Sequence, residues 1–290
     1  MIEFDRFLNY CDIQYQNSNS CHCGKSCTNG YYCCGAEINC YKCIQRVHDY
    51  HNSAVHYNCY KMLYYYVLKH GYRFAAEIFY LFQKIQKDIA QWGSIYITSI
   101  GCGPCTELFG TLLQWRSIGK QNAQYHFRGF DLESHWAPLM SIIPTFFRGI
   151  DVLTQNLNAF EFYRSSDERI DVIVLNYMLS DMLKFHSEQY DNYLISLSEL
   201  IKAKHPKYLL INDVYLKVSL SASLRLLDCF SLQGISFKNI KLRYHGLNSY
   251  IGEYGRQIDR QPYEMRNQHI VDTYDPFRYV DSIQTIIKFQ

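Results

Sequence analysis

The chain has little net charge, no long apolar run free of charges, no internal repeat and no low-complexity tract. Each absence removes a class. Its 29 lysines and arginines stand against 27 aspartates and glutamates, a formal charge of +2. That is not the strongly basic balance of a dedicated nucleic-acid binder. Residues 1–92 hold 9 basic and 7 acidic residues and the remainder holds 20 and 20. A local basic patch stays open, because net charge does not report distribution. The amino terminus, Met-Ile-Glu-Phe-Asp-Arg-Phe, has no apolar signal region, so a cytoplasmic protein without export is expected. The most membrane-like stretch, Met62 to Phe82, carries Lys69, His70, Arg73 and Glu77. Those charges favour a buried helix over a bilayer span, and no membrane partner is expected.

What is present indicates a globular protein. Hydrophobic residues make up 48% and charged residues 19%, too apolar for a disordered chain. At 290 residues there is enough chain for one large domain or two modest ones. The 27 tyrosines combine apolar area with a polar tip and suit half-buried surfaces.

Residues 95–107, Ile-Tyr-Ile-Thr-Ser-Ile-Gly-Cys-Gly-Pro-Cys-Thr-Glu, are the most informative stretch. A β-branched run ends in Gly101-Cys102-Gly103-Pro104, and an amphipathic segment with Leu108, Phe109, Leu112 and Leu113 follows. The pattern predicts a buried strand, a tight glycine turn and a helix start. Glycines let backbone approach a ligand closely, and a helix start offers unpaired N–H groups. A nucleotide-like guest is usual there. The loop is not a dinucleotide fingerprint, since Thr106 stands where a third glycine is needed, and it lacks the Gly-Lys-Ser/Thr ending of a P-loop.

The segment resembles motif I of the class I S-adenosylmethionine (SAM)-dependent methyltransferases, with two departures. The third glycine of that loop is Cys105, and the acid often found two positions before the first glycine is Ser99. Later segments fall in order. Tyr125 to Asp131 reads as a second strand ending in an acid, with Leu132 and Glu133 behind it. A carboxylate at that point accepts hydrogen bonds from ribose hydroxyls. Phe146 to Val152 reads as a third strand and its exit; the resemblance implies that Asp151 contacts the adenine amine. Asp171 to Tyr177 reads as an apolar fourth strand with Asn176 and Tyr177 at its carboxyl end. The resemblance, over roughly residues 93–290, thus assigns cofactor contacts to Gly101, Cys102, Gly103, Pro104, Glu107, Asp131, Leu132, Asp151 and Asn176. Asn176 and Tyr177 are the candidates for positioning the methyl acceptor. Asp181 is either a base or a helix cap.

Nine of the 12 cysteines precede residue 60. Disulfides and bound metal compete as readings, and a reducing compartment favours metal. Cys40-x-x-Cys43 has zinc-knuckle spacing. Cys23 and Cys27 complete the firmest set, Cys21, Cys33, Cys34 and His48 come next, and one or two structural zinc ions are expected. Cys11 and Cys59 read as buried bystanders. A His-Glu-x-x-His arrangement is absent, so a catalytic zinc is not favoured.

The organisation expected is a cysteine-rich zinc module over 1–56, a linking helical segment over 57–92, broken near His70-Gly71, and a methyltransferase domain over 93–290. The fold class is α/β: a seven-stranded doubly wound sheet, with strands near 94–100, 125–131, 145–148, 170–177, 207–213, 235–244 and 282–289. An insertion over 246–279 separates the last two strands. It carries several tyrosines with Arg256, Arg260 and Arg266, suited to a flat or anionic partner. The function expected is methyl transfer from SAM, to RNA ahead of a protein or small molecule. The alternative is a binding or scaffold protein that kept the fold and lost catalysis, as the altered motif I suggests. Nothing in the sequence sets the oligomeric state.

Overall fold

In a computed structural model of the chain, the described residues are 2–17, 40–47, 57, 59–245, 267–276 and 281–290. The chain begins with α1 (Ile2–Asn17), α2 (Cys40–Val47), α3 (Tyr60–Gln83) and the short α4 (Gln86–Ile89). Strand and helix then alternate. β1 (Ser94–Ile100) leads to α5 (Thr106–Ser117), and β2 (Gln124–Phe130) to α6 (Ala137–Ile142). β3 (Asp151–Gln155) is followed by α7 (Ala159–Ser165), and β4 (Val172–Asn176) by α8 (Leu179–Phe185) and α9 (Tyr190–Lys204). β5 (Tyr208–Val214), α10 (Lys217–Leu232), β6 (Phe237–His245), α11 (Gln268–Tyr274) and β7 (Asp281–Phe289) complete the described elements.

The seven strands form one sheet in the order β3-β2-β1-β4-β5-β7-β6. Strands β1 to β5 are parallel, and β7 runs antiparallel between β5 and β6. Both faces are covered, which is why the central strands read as continuous apolar runs. On β4, Val172 and Val174 enter the core beneath α1, α3 and α5. Ile173 and Leu175 enter the opposite core, built by α7, α9 and α10. The period of two assigns each residue its face.

Two sequence expectations are corrected. The strand expected near 145–148 is a 3₁₀ turn over Ile143–Phe146 with Pro144 at its start, and Gly149 turns the chain at φ 74°. Proline has no N–H for a ladder, so pairing begins only at Asp151. The helix expected to break at His70-Gly71 runs unbroken from Tyr60 to Gln83. A β-carbon at Gly71 would stand 3.4 Å from Leu8 and 3.6 Å from Phe4, so the glycine marks the crossing of α1 over α3. Tertiary contact outweighs glycine's modest helix penalty of about 1 kcal/mol.

α1 is integral to the core. Phe4 and Phe7 stack on Phe109 of α5 at centroid distances of 4.3 and 5.4 Å. The described part of the insertion docks on the same helices: Asn267 Nδ2 donates to Asn9 Oδ1 at 2.6 Å, and Lys69 Nζ to Tyr274 O at 2.8 Å. Among the described residues no helix is long and apolar enough to cross a membrane.

The contact of α3 with α5 fixes the start of α5 relative to the sheet. The two helices are in backbone contact at Gly110, where a β-carbon would lie 2.3 Å from the backbone oxygen of Ala75. An exposed Gly→Ala in a helix normally stabilises by about 1 kcal/mol. Here the sign reverses: Gly110→Ala is expected to destabilise by about 1–3 kcal/mol, the cost of overpacking. Urea unfolding checks this, and an unchanged or higher midpoint would contradict the backbone contact.

Candidate functional site at the carboxyl ends of the strands

β1 ends in a loop whose backbone is pinned to the neighbouring strand. The N–H groups of Gly101 and Cys102 both donate to the carbonyl of Phe130, at 2.8 and 3.1 Å. Gly101 and Gly103 have positive φ of 69° and 47°. A β-carbon at Gly101 would come within 2.6 Å of Met178 Cγ, so this position requires glycine on steric grounds as well. Cys105, at the expected third-glycine position, itself adopts the left-handed conformation at φ 52° and caps α5. The backbone geometry of the motif is therefore kept although the glycine is not.

Asp131 follows β2 and faces this loop. Its Oδ2 accepts from Gly103 N at 2.7 Å and its Oδ1 from Glu133 N at 2.8 Å. Burial pushes its carboxyl up to about 6, against the opposing pull of those two amides. It is thus ionised at neutral pH. A carboxylate offers about four lone-pair sites, and two are taken, so acceptor capacity remains for a diol. Leu132 beside it is 72% exposed, a large apolar side chain at the rim. Asn156 closes the group by donating from Nδ2 to the Asp131 carbonyl at 2.8 Å.

Asp151 does not join the site. It opens β3, paired in register with His126, and so lies at the amino-terminal end of the sheet. Its carboxylate binds Arg128 at 2.9 and 3.0 Å and His126 at 2.7 Å, and the Arg128 hydrogen bonds hold it below the usual range. The error follows from the misplaced third strand. The carboxyl end of β3 carries Gln155, whose buried Oε1 has no hydrogen-bond partner in the structure.

Ser99 meets an acid from the other side of the turn. Glu107, in the first turn of α5, accepts a short hydrogen bond from Ser99 Oγ and another from Thr106 Oγ1 at 3.3 Å. Desolvation raises its carboxyl to about 7, and hydrogen bonds from Ser99, Asn176 and Thr106 work against that rise. Asn176 joins Glu107 to a wider network. Asn212 Nδ2 donates to Asn176 Oδ1 at 2.9 Å and to Glu77 Oε2 at 2.8 Å. Glu77 also accepts from Tyr177 Oη at 3.0 and 3.1 Å. Burial drives its carboxyl up, with Arg73, Asn212, Tyr177 and Ser282 opposing. Asn176 and Tyr177 therefore stand where expected, at the end of β4, but their polar groups are engaged inside the protein. Tyr177 holds a left-handed φ of 57° and packs its ring on Phe74 at 4.3 Å.

The first turn of α8 is capped from β5. Asp213 accepts from Ser180 N at 2.8 Å and Ser180 Oγ at 2.5 Å. Asp181 is thus not the cap. Desolvation first, then the Asp213 charge, push its carboxyl up to about 7, with Lys184 opposing. Above the loop, Tyr57, Tyr66 and Trp136 form a ring cluster with centroids 5.3–5.6 Å apart. Trp136 packs where a Gly103 β-carbon would point, at 3.5 Å. Sequence reasoning did not find Trp136 or Glu77. An acid in an otherwise apolar helix face was the available signal for Glu77.

Of the expected zinc ligands, Cys21, Cys23, Cys27, Cys33, Cys34 and His48 lie outside the described residues. Cys40 and Cys43 are buried on α2, and Cys43 is disulfide-bonded, which removes the thiolate a zinc ion needs. Among the described residues no group of three or more histidine, cysteine or acidic side chains is placed to hold a metal. Arg256, Arg260 and Arg266 of the insertion also lie outside the described residues.

No known protein family matches the sequence, and no curated protein matches it either. Solved structures with a similar chain path include a precorrin-6y C5,15-methyltransferase from Geobacter metallireducens GS-15, at 8% identity and TM-score 0.39, covering 71% of this chain and 87% of the other. The plantazolicin methyltransferase BpumL in complex with SAH is similar at 13% identity and TM-score 0.41, covering 76% and 85%. A putative methyltransferase from Thermoplasma acidophilum is similar at 11% identity and TM-score 0.39, covering 67% and 68%. Likenesses this distant carry no functional weight. The strand order with its antiparallel β7 defines the fold directly: it is the seven-stranded sheet of the class I methyltransferase fold.

Glu107 gives a pH test of the site's support. Its folded value lies above the usual 4.5, so the stability from keeping it protonated is full below about 4.5 and is lost as pH rises through about 7. The span corresponds to on the order of 3 kcal/mol. Glu107→Gln keeps the shape and removes the ionisation. The variant should therefore gain on wild type in thermal stability between about pH 5 and 8. A constant difference in melting temperature across that range would contradict the assignment.

Proposed function

We propose that the protein binds SAM over the carboxyl ends of β1 to β4 and transfers its methyl group to an acceptor approaching over β4. The observation that carries this reading is the pairing of the Gly101–Gly103 loop with Asp131 on adjacent parallel strands. The residues fit the cofactor. The remaining lone pairs of Asp131 suit the ribose diol, Leu132 offers an apolar face to adenine, and the unpartnered Gln155 oxygen, in place of Asp151, suits the adenine amine. SAM supplies an activated methyl on a sulfonium, so the protein's share is alignment, exclusion of water and handling of the acceptor proton.

Glu107, Asn176, Asn212 and Glu77 hold the strand ends in register, so Asn176 acts through its neighbours. Asp181, near half-ionised at neutral pH, stands one turn beyond β4 and is the base that takes a proton from the acceptor. RNA is the acceptor class to test first. The cysteine-rich segment and the arginine- and tyrosine-bearing insertion both suit a flat, anionic partner. A protein or small molecule follows. A protein that binds SAM without turnover is the competing reading, favoured by the loss of the third glycine to Cys105.

Calorimetry with SAM tests the cofactor assignment. Asp131→Ala should cost about 1.5–3 kcal/mol of binding, the range for hydrogen bonds to a charged group. Wild-type affinity should fall as pH drops through about 6, where Asp131 takes up its proton. Equal affinity in wild type and variant would remove Asp131 from the site. Transfer of labelled methyl from SAM into fractionated cell RNA, protein and small molecules then separates enzyme from binder. We also propose one or two structural zinc ions held by residues 21–48 other than Cys43. Elemental analysis of protein purified without added metal should find zinc at one or two equivalents, and none would reject the module.

A further inference from the structure

The glycine loop carries two cysteines that the methyl-transfer chemistry does not use. Cys102 and Cys105 bracket Gly103 and Pro104, and their sulfurs are 3.2 Å apart. Cys105 N donates to Cys102 O at 2.7 Å, closing a tight turn that keeps the two residues together. The left-handed backbone of Cys105 is part of the same turn. On the neighbouring strand, Gly129 makes the space they occupy. A β-carbon there would stand 3.0 Å from the Cys105 sulfur and 3.1 Å from the Cys102 sulfur. Two thiols at Cys-x-x-Cys spacing and in mutual contact meet the geometric requirement for a disulfide. A disulfide needs a sulfur separation of about 2.05 Å. Closure therefore asks for a movement of about 1 Å.

We infer that Cys102 and Cys105 form a reversible dithiol–disulfide pair that sets the loop's affinity for its cofactor, the second half resting on the SAM reading above. The co-reactant is a small disulfide such as oxidised glutathione. One cysteine thiolate attacks a sulfur of that disulfide, forming a mixed disulfide and releasing one glutathione thiol. The second cysteine then displaces the other glutathione. Two electrons and two protons pass from the loop to the two glutathiones, and one sulfur–sulfur bond replaces another. Burial pushes both thiols up, so in the packed loop they stay protonated and unreactive, and exchange requires the loop to open.

Closure has a directional consequence. The peptide unit between the cysteines contains Gly103, whose N–H holds Asp131 at 2.7 Å. Pulling the flanking side chains together shifts that N–H and weakens the ribose site. SAM then favours the reduced loop, and by linkage it must make the loop harder to oxidise by the same factor. A tenfold loss of affinity corresponds to a rise of about 30 mV in the pair's reduction potential at saturating SAM.

The full-length protein is equilibrated in glutathione buffers spanning roughly −300 to −180 mV, quenched by alkylation and digested with trypsin. Cleavage after Lys87 and Arg116 releases Asp88–Arg116, which contains Cys102 and Cys105 and no other cysteine. The inference expects this peptide to pass from doubly alkylated to unalkylated and lighter by two hydrogens as the buffer becomes oxidising, and to return on reduction. SAM calorimetry in the two end buffers should show affinity at least tenfold weaker when oxidised. Cys105→Ser, which keeps every cysteine outside the loop, should show the same affinity in both buffers. A peptide alkylated twice at every poise overturns the pair. Closure with unchanged SAM affinity overturns the coupling. If the reduced wild type binds no SAM, the coupling and the proposed function fall together, and the peptide mass still decides on the pair.

Discussion

The hydrogen bond from Gly103 N–H to the Asp131 carboxylate is the constraint around which the site is arranged. It joins the loop after β1 to the loop after β2, at the point where two parallel strands end side by side. Both Asp131 oxygens accept a backbone amide, which lets a desolvated carboxylate stay charged at neutral pH. Without those amides the burial cost would favour the neutral acid, and a neutral acid is a poorer acceptor for sugar hydroxyls. Gly101 and Gly103 hold the left-handed geometry that aims the amide at the carboxylate, and Cys105 holds it at the end of the turn.

That arrangement is supported from beneath by buried polar groups running across the sheet. Ser99, Glu107, Asn176, Asn212 and Glu77 connect β1, α5, β4, β5 and α3, and Gln284 of β7 adds bonds to the Asn212 side chain and the Glu77 backbone. Burying two carboxyls is unfavourable unless each lone pair finds a donor, and here the donors come from five different elements. Such a network fixes the relative height of the strand ends more sharply than apolar packing does. It also makes α3 part of the site's foundation, since the helix contributes Glu77 and meets α5 at the Gly110 contact.

The central part of the fold was legible because its signals are local. The β-branched run of β1, the glycine turn and the acid ending β2 read directly from residues 94–131, and the apolar runs of β4 and β5 fell within a residue or two of their expected places. The third strand was not legible. Two phenylalanines beside Pro144 and Gly149 imitate a strand core, but proline cannot join the ladder and the glycine turns the chain. Asp151 was misassigned with it. The unbroken α3 was hidden because Gly71 is dictated by the crossing of α1, a contact 63 residues away in sequence at Leu8. Glu107 was expected as a cofactor contact, not as a buried partner of Ser99. Its hydrogen bond with Ser99 is a contact across the turn that spacing does not reveal.

The SAM site proposed at Asp131 and the Gly101–Gly103 loop is tested most directly by a crystal structure of the protein with S-adenosylhomocysteine. The ribose hydroxyls should lie within hydrogen-bond distance of the Asp131 carboxylate, the adenine beside Leu132 and Gln155, and the sulfur should point toward the end of β4. A ligand bound elsewhere, or a ribose that leaves Asp131 uncontacted, would contradict it.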